Sequence, residues 1–96
     1  NSPIGYATTK SAIVGFTKYI ATHYSHRGLR ANILVPGGVQ NKNQSKKFKK
    51  KYSELTPLNR LAKKDEYKET VLFLVSDASS YMTGSEIVID GGWTAW

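Results

Sequence analysis

Two short apolar, β-prone segments set the terms on which this chain of 96 residues can fold. Arg30-Ala31-Asn32-Ile33-Leu34-Val35 is stopped by Pro36-Gly37-Gly38, and Glu86-Ile87-Val88-Ile89-Asp90 by Gly91-Gly92. About fifty residues with helical signals lie between them. A crossover of that kind joins strands in parallel, and parallel strands are normally covered on both faces. Two strands alone are marginal in water. The order helix, strand, helices, strand therefore predicts an α/β fold that forms one end of a larger parallel sheet.

The helices have their own signals. Ser2 can cap a first helix and Pro3 suits its first turn. Ala12, Ile13, Phe16, Tyr19, Ile20 and Tyr24 then recur with helical spacing. His26 and Arg27 suit the negative end of the helix dipole, and Gly28 is a natural stop, which predicts a helix over 3–27. Lys42 to Lys51, with six lysines in ten positions, reads as a short exposed helix after a polar loop over 39–44. Pro57 closes that region. Asp65 opens another amphipathic helix that ends near Asp77, with Tyr67, Val71, Leu72, Leu74 and Val75 on its apolar side. The aromatic tail Trp93-Thr94-Ala95-Trp96 is expected to dock, and a compact chain of this length has a radius of gyration near ~13 Å.

Composition narrows the chemistry. Without cysteine there is no disulfide, thiolate metal site or cysteine nucleophile, and two histidines are too few for most zinc constellations. No apolar run approaches the ~20 residues that span a bilayer. Asn1-Ser2-Pro3-Ile4-Gly5 carries no signal-peptide pattern, so a reducing cytoplasm and no membrane partner are expected. Fourteen Lys and Arg against seven Asp and Glu leave a net charge of +7 and a pI near 9.7.

Tyr6 and Lys10 stand four apart on the first helix and share a face. A phenol is a poor proton shuttle at neutral pH, but an ammonium held beside it favours the phenolate. Such a pair can serve general acid–base chemistry. On spacing alone, a partly exposed helical pair without any role fits as well.

The motifs taken in order say more. Tyr6-Ala7-Thr8-Thr9-Lys10-Ser11-Ala12 precedes Gly28-Leu29-Arg30-Ala31-Asn32 and the strand ending in Pro36-Gly37-Gly38-Val39. The run from Leu72 to Gly84 and the ending Val88-Ile89-Asp90-Gly91-Gly92 follow. Across essentially all 96 residues this resembles the C-terminal portion of the short-chain dehydrogenase/reductase family. The resemblance implies the C-terminal part of a Rossmann-like doubly wound parallel sheet. It implies an NAD(P)-dependent oxidoreductase that moves hydride between a nicotinamide, NAD or NADP, and a small-molecule carbonyl or alcohol substrate. Tyr6 matches the catalytic acid/base. Lys10 matches the lysine that supports the tyrosine and holds the nicotinamide ribose. Pro36 and Gly37 match the loop passing the nicotinamide, and Val39 the position whose backbone binds its carboxamide. Asn41 stands where a threonine is common.

The Pro36-to-Val39 block and the Tyr81-to-Trp96 ending look like the branch linked to surface-carbohydrate biosynthesis. The family's G-x-x-x-G-x-G fingerprint and catalytic serine have no match in these residues. Residues 1–96 are accordingly expected to be the C-terminal half of one domain, with the dinucleotide-binding half absent and the chain inactive alone. The resemblance also implies a homodimer or homotetramer built on the first helix.

The lysine run, with Phe48 and Tyr52 among its charges, admits three readings. It is a solvated helix face, a basic flap that steers an acidic or phosphorylated substrate, or a nucleic-acid contact. The expectation is no nucleic-acid partner. The rival to the redox reading is a non-catalytic basic binding or assembly module retaining part of the fold.

Overall fold

The computed structural model describes residues 4–96, so Ser2 and Pro3, the expected cap and first-turn residues, lie outside the described residues. Helix α1 spans Ile4–His23, which is shorter than expected. Tyr24 leaves the helical region, and Ser25–Arg27 tightens into a 3₁₀ turn closed by Gly28 at φ +79°. Glycine takes that left-handed conformation without a Cβ clash. The stop is where the sequence places it, and only the last turn changes character.

Parallel pairing is as expected. Strand β1 (Ile33–Pro36) lies beside β2 (Glu86–Ile89) with Leu34 opposite Ile87 and Val35 opposite Val88. The strand expected from Arg30 begins only at Ile33, because residues 30–32 spend their polar groups on the loop before β2. The Arg30 guanidinium donates to the carbonyls of Leu74 (3.1 Å), Ser76 (3.3 Å), Ser79 (2.8 Å) and Met82 (3.1 Å). Asn32 donates its amide to Met82 O and accepts from Ser85 N–H, while Thr83 Oγ1 accepts from Ala31 N–H. These contacts fix where β2 starts and hence its register.

Between the strands, α2 covers Lys46–Glu54, and Ser45 caps it by accepting from Phe48 N–H at 3.0 Å. The helix expected from Asp65 is divided. Lys64–Tyr67 forms a 3₁₀ turn, α3 covers Lys68–Val75, and Asp77–Ser79 forms a second 3₁₀ turn. Leu74 O and Ser76 O at that end accept from the Ser79 hydroxyl, Ser76 O also from Ser79 N–H, and Arg30 adds a charged donor to each.

Little of the apolar surface is covered. Among the described residues Ala21 and Leu61 are the buried apolar ones, joined by Thr56 and Ser79. The covered side of α1 is Val14, Thr17, Ile20 and Ala21, whereas Ile13, Phe16 (67% exposed) and Tyr19 from the expected stripe face solvent. On α3, Val71, Leu72 and Val75 are likewise exposed. The radius of gyration is 15.8 Å, above the value for a compact chain, because α1 projects along a molecule 49 Å long. Accessible area is 7505 Å², about 2,000 Å² more than the roughly 5,500 Å² expected of a folded monomer of 10.7 kDa.

Exposed apolar faces and a two-stranded sheet lead to one prediction. The isolated 96-residue chain is expected to self-associate or stay partly molten, as sedimentation equilibrium and NMR dispersion will show. A monomeric, cooperatively unfolding species would mean that the two strands and their helices suffice.

A second prediction concerns the turn into α3. Glu66 accepts from both ends of the Arg60 guanidinium (2.5 and 2.9 Å) and from Lys63 N–H at 2.8 Å. The Arg60 hydrogen bond, then the Lys63 amide, hold the Glu66 carboxyl down to about 2 from an ordinary 4.5. A depressed carboxyl contributes stability above its unfolded pKa and loses it as pH falls through the folded one. Glu66→Gln should therefore flatten the loss of stability between pH 4.5 and about 2, measured by urea denaturation across that range. An unchanged acid limb would show that water replaces the pairing.

Candidate functional site

The sheet's chemistry lies at the carboxyl ends of its two strands, the customary ligand edge of an open α/β sheet. Gly37 N–H continues the ladder to Ile89 O at 2.9 Å, bringing the loop after β1 against Asp90. A Cβ on Gly37 would stand 2.7 Å from Asp90 Cα, and one on Gly38 would stand 2.4 Å from the Tyr52 ring. Gly37 is therefore required by the approach of backbone, whereas a side chain at position 38 would displace the Tyr52 ring. Gly38 N–H donates to the Tyr52 hydroxyl at 2.5 Å, and the Tyr52 ring packs on Trp93 with centroids 4.6 Å apart. The C-terminal turn and α2 are thus both tied to the Pro36-Gly37-Gly38 loop.

Tyr6 faces this assembly. It lines a cleft of about 370 Å³ with Pro36, Gly37, Tyr52, Asp90 and Trp93. Its side is half open to solvent, and the Lys10 ammonium lies over its ring, 5.4 Å from the centroid. The structure therefore brings four of the five expected site residues together: Tyr6, Pro36 and Gly37 in the cleft wall and Lys10 against Tyr6. Val39 is not part of that wall. It forms an isolated bridge with Ala62, and its carbonyl accepts from the Gln44 side chain at 3.0 Å. Asn41 is engaged within its own loop, where Oδ1 accepts from Asn43 N–H at 2.8 Å.

Asp90, Tyr52, Trp93 and Thr94 were not legible as cleft residues from the sequence, although Asp90 ends a strand and precedes Gly91-Gly92. Asp90 Oδ2 accepts from the Thr94 hydroxyl (2.8 Å) and amide (3.1 Å), and Oδ1 from Gly92 N–H (3.0 Å). The Thr94 hydroxyl, followed by these backbone amides, holds the Asp90 carboxyl below its ordinary range. It stays ionised and engaged as a staple for the C-terminal turn, while the two phenols of the cleft are Tyr6 and Tyr52, the latter accepting from Gly38 N–H.

Beneath the loop, Arg60, Glu66 and Tyr67 border a smaller cavity of about 90 Å³. The Tyr67 hydroxyl donates to Ile89 O at 3.3 Å, and burial pushes this phenol up from its ordinary value. It serves the end of β2. Among the described residues no cluster of histidine and carboxylate side chains is placed to hold a metal, and no helix is long and apolar enough to cross a membrane.

A family model described as "Enoyl-(Acyl carrier protein) reductase" matches residues 1–94. The chain belongs to the short-chain dehydrogenase/reductase family. It is 41% identical over 100 residues to the oxidoreductase UcpA of Escherichia coli O157:H7, covering 93% of this chain and 38% of that protein. It is 37% identical over 92 residues to the 3-oxoacyl-[acyl-carrier-protein] reductase FabG of Aquifex aeolicus, covering 93% and 37%. A short-chain dehydrogenase from Leptospira borgpetersenii, crystallised with bound NAD+, superposes with a TM-score of 0.89 at 44% identity, covering 98% of this chain and 37% of that one. The chain thus spans less than two fifths of the length of these relatives, and its α/β fold is that of Rossmann-type members of the family.

Proposed function

We propose that this chain is the substrate-side, C-terminal half of an NAD(P)-dependent oxidoreductase acting on a carbonyl/hydroxyl pair. The observation that carries the reading is the convergence of Tyr6, with Lys10 one turn on, and Pro36-Gly37 on one cleft at the carboxyl end of β1. An apolar wall of Val35 and Pro36, closed by the Trp93 ring, fits the flat face of a nicotinamide. When bound there, that ring supplies the hydride acceptor or donor.

The protein's own part is the proton. Tyr6 Oη takes it from the substrate hydroxyl during oxidation and returns it to the carbonyl oxygen during reduction. Lys10, whose ammonium lies over the Tyr6 ring, would support Tyr6 and hold the nicotinamide ribose. Pro36 and Gly37 would border the nicotinamide, and the Val39 N–H, rather than its carbonyl held by Gln44, would serve the carboxamide. A preceding dinucleotide-binding half would cover the open sheet edge, and a second copy would cover Ile13 and Phe16 of α1, in a homodimer or homotetramer. The uncovered apolar area is what supports both.

The test uses the whole protein carrying this chain. Purified with NAD+ or NADP+, it is offered secondary alcohols that include sugars and 3-hydroxyacyl compounds, and formation of reduced nicotinamide is followed by absorbance. Turnover of at least one class is expected. A protein that binds neither dinucleotide and turns over nothing would instead be a basic binding or assembly module.

A further inference from the structure

A second cleft gathers lysines from three separate stretches. Lys42 from the loop after β1, Lys49 from α2, and Lys63 and Lys64 from the turn before α3 line about 320 Å³ together with Gln40 and Asn41. It shares no lining residue with the cleft at Tyr6, and no carboxylate lines it. Lys49 is half-buried, whereas Lys46, Lys47, Lys50 and Lys51 on the same helix are exposed. Among the described residues the one ion pair is Arg60–Glu66, so none of the four cleft lysines is neutralised by a carboxylate there.

The banks of this cleft are fixed by backbone. Ala62 N–H donates to Gly38 O at 2.9 Å, and Ala62 O accepts from Gln40 N–H at 2.8 Å. Glu66, clamped by Arg60, accepts from Lys63 N–H and sets the turn that presents Lys63 and Lys64. Gln44 bonds both Asn41 N–H and Val39 O and thereby orders the opposite bank. Four like charges line this open cleft, Lys42, Lys63 and Lys64 exposed and Lys49 half-buried, and repel each other within a Debye length. An anion seated among them reverses the sign of that interaction.

We propose that this cleft binds a phosphate group carried by a small molecule. A carboxylate offers one negative charge, whereas a phosphate monoester offers about 1.5 to 2 with three acceptor oxygens, and lysines bind phosphate as point charges. The cleft has no aromatic residue on which a base could stack, as single-stranded nucleic acid requires. Two sources share this chemistry: a phosphorylated substrate and the phosphates of the dinucleotide itself.

The experiment is calorimetric titration of pyrophosphate into the whole protein carrying this chain, at about 0.1 M salt. Saturable binding is expected, weakened about tenfold or more by Lys49→Gln with Lys63→Gln. Lys47→Gln with Lys51→Gln removes the same charge from positions about 200° around α2 from Lys49, and should weaken it less than about threefold. Circular dichroism checks that both variants fold. Equal weakening by the two pairs, or no saturable binding by the wild type, would overturn the proposal. Repeating the titration in saturating NAD+ separates the sources: unchanged affinity assigns the cleft to a phosphorylated substrate, and displacement assigns it to the dinucleotide. Binding is read without turnover, so this result and that of the redox assay are independent.

Discussion

Tyr6→Phe in the whole protein is expected to lower kcat by about 10² to 10⁴-fold, the usual contribution of a positioned general acid–base group, with stability almost unchanged. The two halves of that expectation have separate causes. On the proposed reading the Tyr6 phenol gives or takes the proton, while the Asp90 carboxylate is held by Thr94 and Gly92 and the Tyr52 hydroxyl accepts from Gly38 N–H. Phenylalanine keeps the ring on which Lys10 rests. With the Tyr6 side chain 54% exposed, loss of a hydroxyl to water should shift unfolding by less than about 0.5 kcal/mol. Lys10→Met should be comparably damaging to turnover, because it removes the cation that lies over the Tyr6 ring, whereas Lys10→Arg keeps a cation and should retain more activity. Steady-state kinetics beside urea denaturation checks both halves. Turnover near that of the wild type in Tyr6→Phe would remove the phenol from the chemistry and leave the cleft as a binding site.

What the sequence made legible here is whatever depends on local chain chemistry. Gly28, Pro36-Gly37-Gly38 and Gly91-Gly92 act through backbone geometry, which the residue type nearly dictates, and each ends an element as expected. The parallel pairing of β1 and β2 follows from the crossover alone. Tyr6 and Lys10 meet because helical spacing makes them meet. By contrast, the covered face of α1 could not be read from periodicity. That helix is apolar on more than one side, and Val14, Thr17, Ile20 and Ala21 rather than Phe16 happen to meet the rest of this chain. The cleft roles of Asp90, Tyr52 and Trp93 depend on residues as much as 41 positions apart packing at one loop. No local signal carries such a contact. Val39 and Asn41 show the reverse case, in which a motif position is plain in the sequence but its backbone or amide is already engaged within the loop.

Arg30 is the largest instance of a role hidden from local reading, and it carries the second large effect. Its position at the head of an apolar run suggests a strand residue, yet it closes the end of α3 and pins the loop before β2. Nη2 donates to Leu74 O and Ser76 O, while Nη1 donates to Ser79 O, Ser79 Oγ and Met82 O. Ser79, 2% exposed, cannot turn to solvent instead. Hydrogen bonds to a charged group contribute about 1.5 to 3 kcal/mol each, while each of these carbonyls keeps at least one further donor, from Ser79, Met82 N–H or Asn32, when the guanidinium is lost. These contributions do not add fully, and Arg30 itself is only half-buried, so Arg30→Met is expected to destabilise the whole protein by about 3 kcal/mol or more. Arg30→Lys should recover only part of that, since one ammonium is a single point and cannot reach carbonyls spread from Leu74 to Met82 as a planar fork does. Urea midpoints of the three proteins measure the series, and hydrogen exchange over residues 74–85 should quicken most. A cost below about 1 kcal/mol would mean that water satisfies those carbonyls equally well. Because the same contacts set where β2 begins, they also set where it ends. Any Arg30 variant that folds should therefore loosen Asp90 and Trp93 and raise KM more than it lowers kcat, a split that the loss of Tyr6 would not produce.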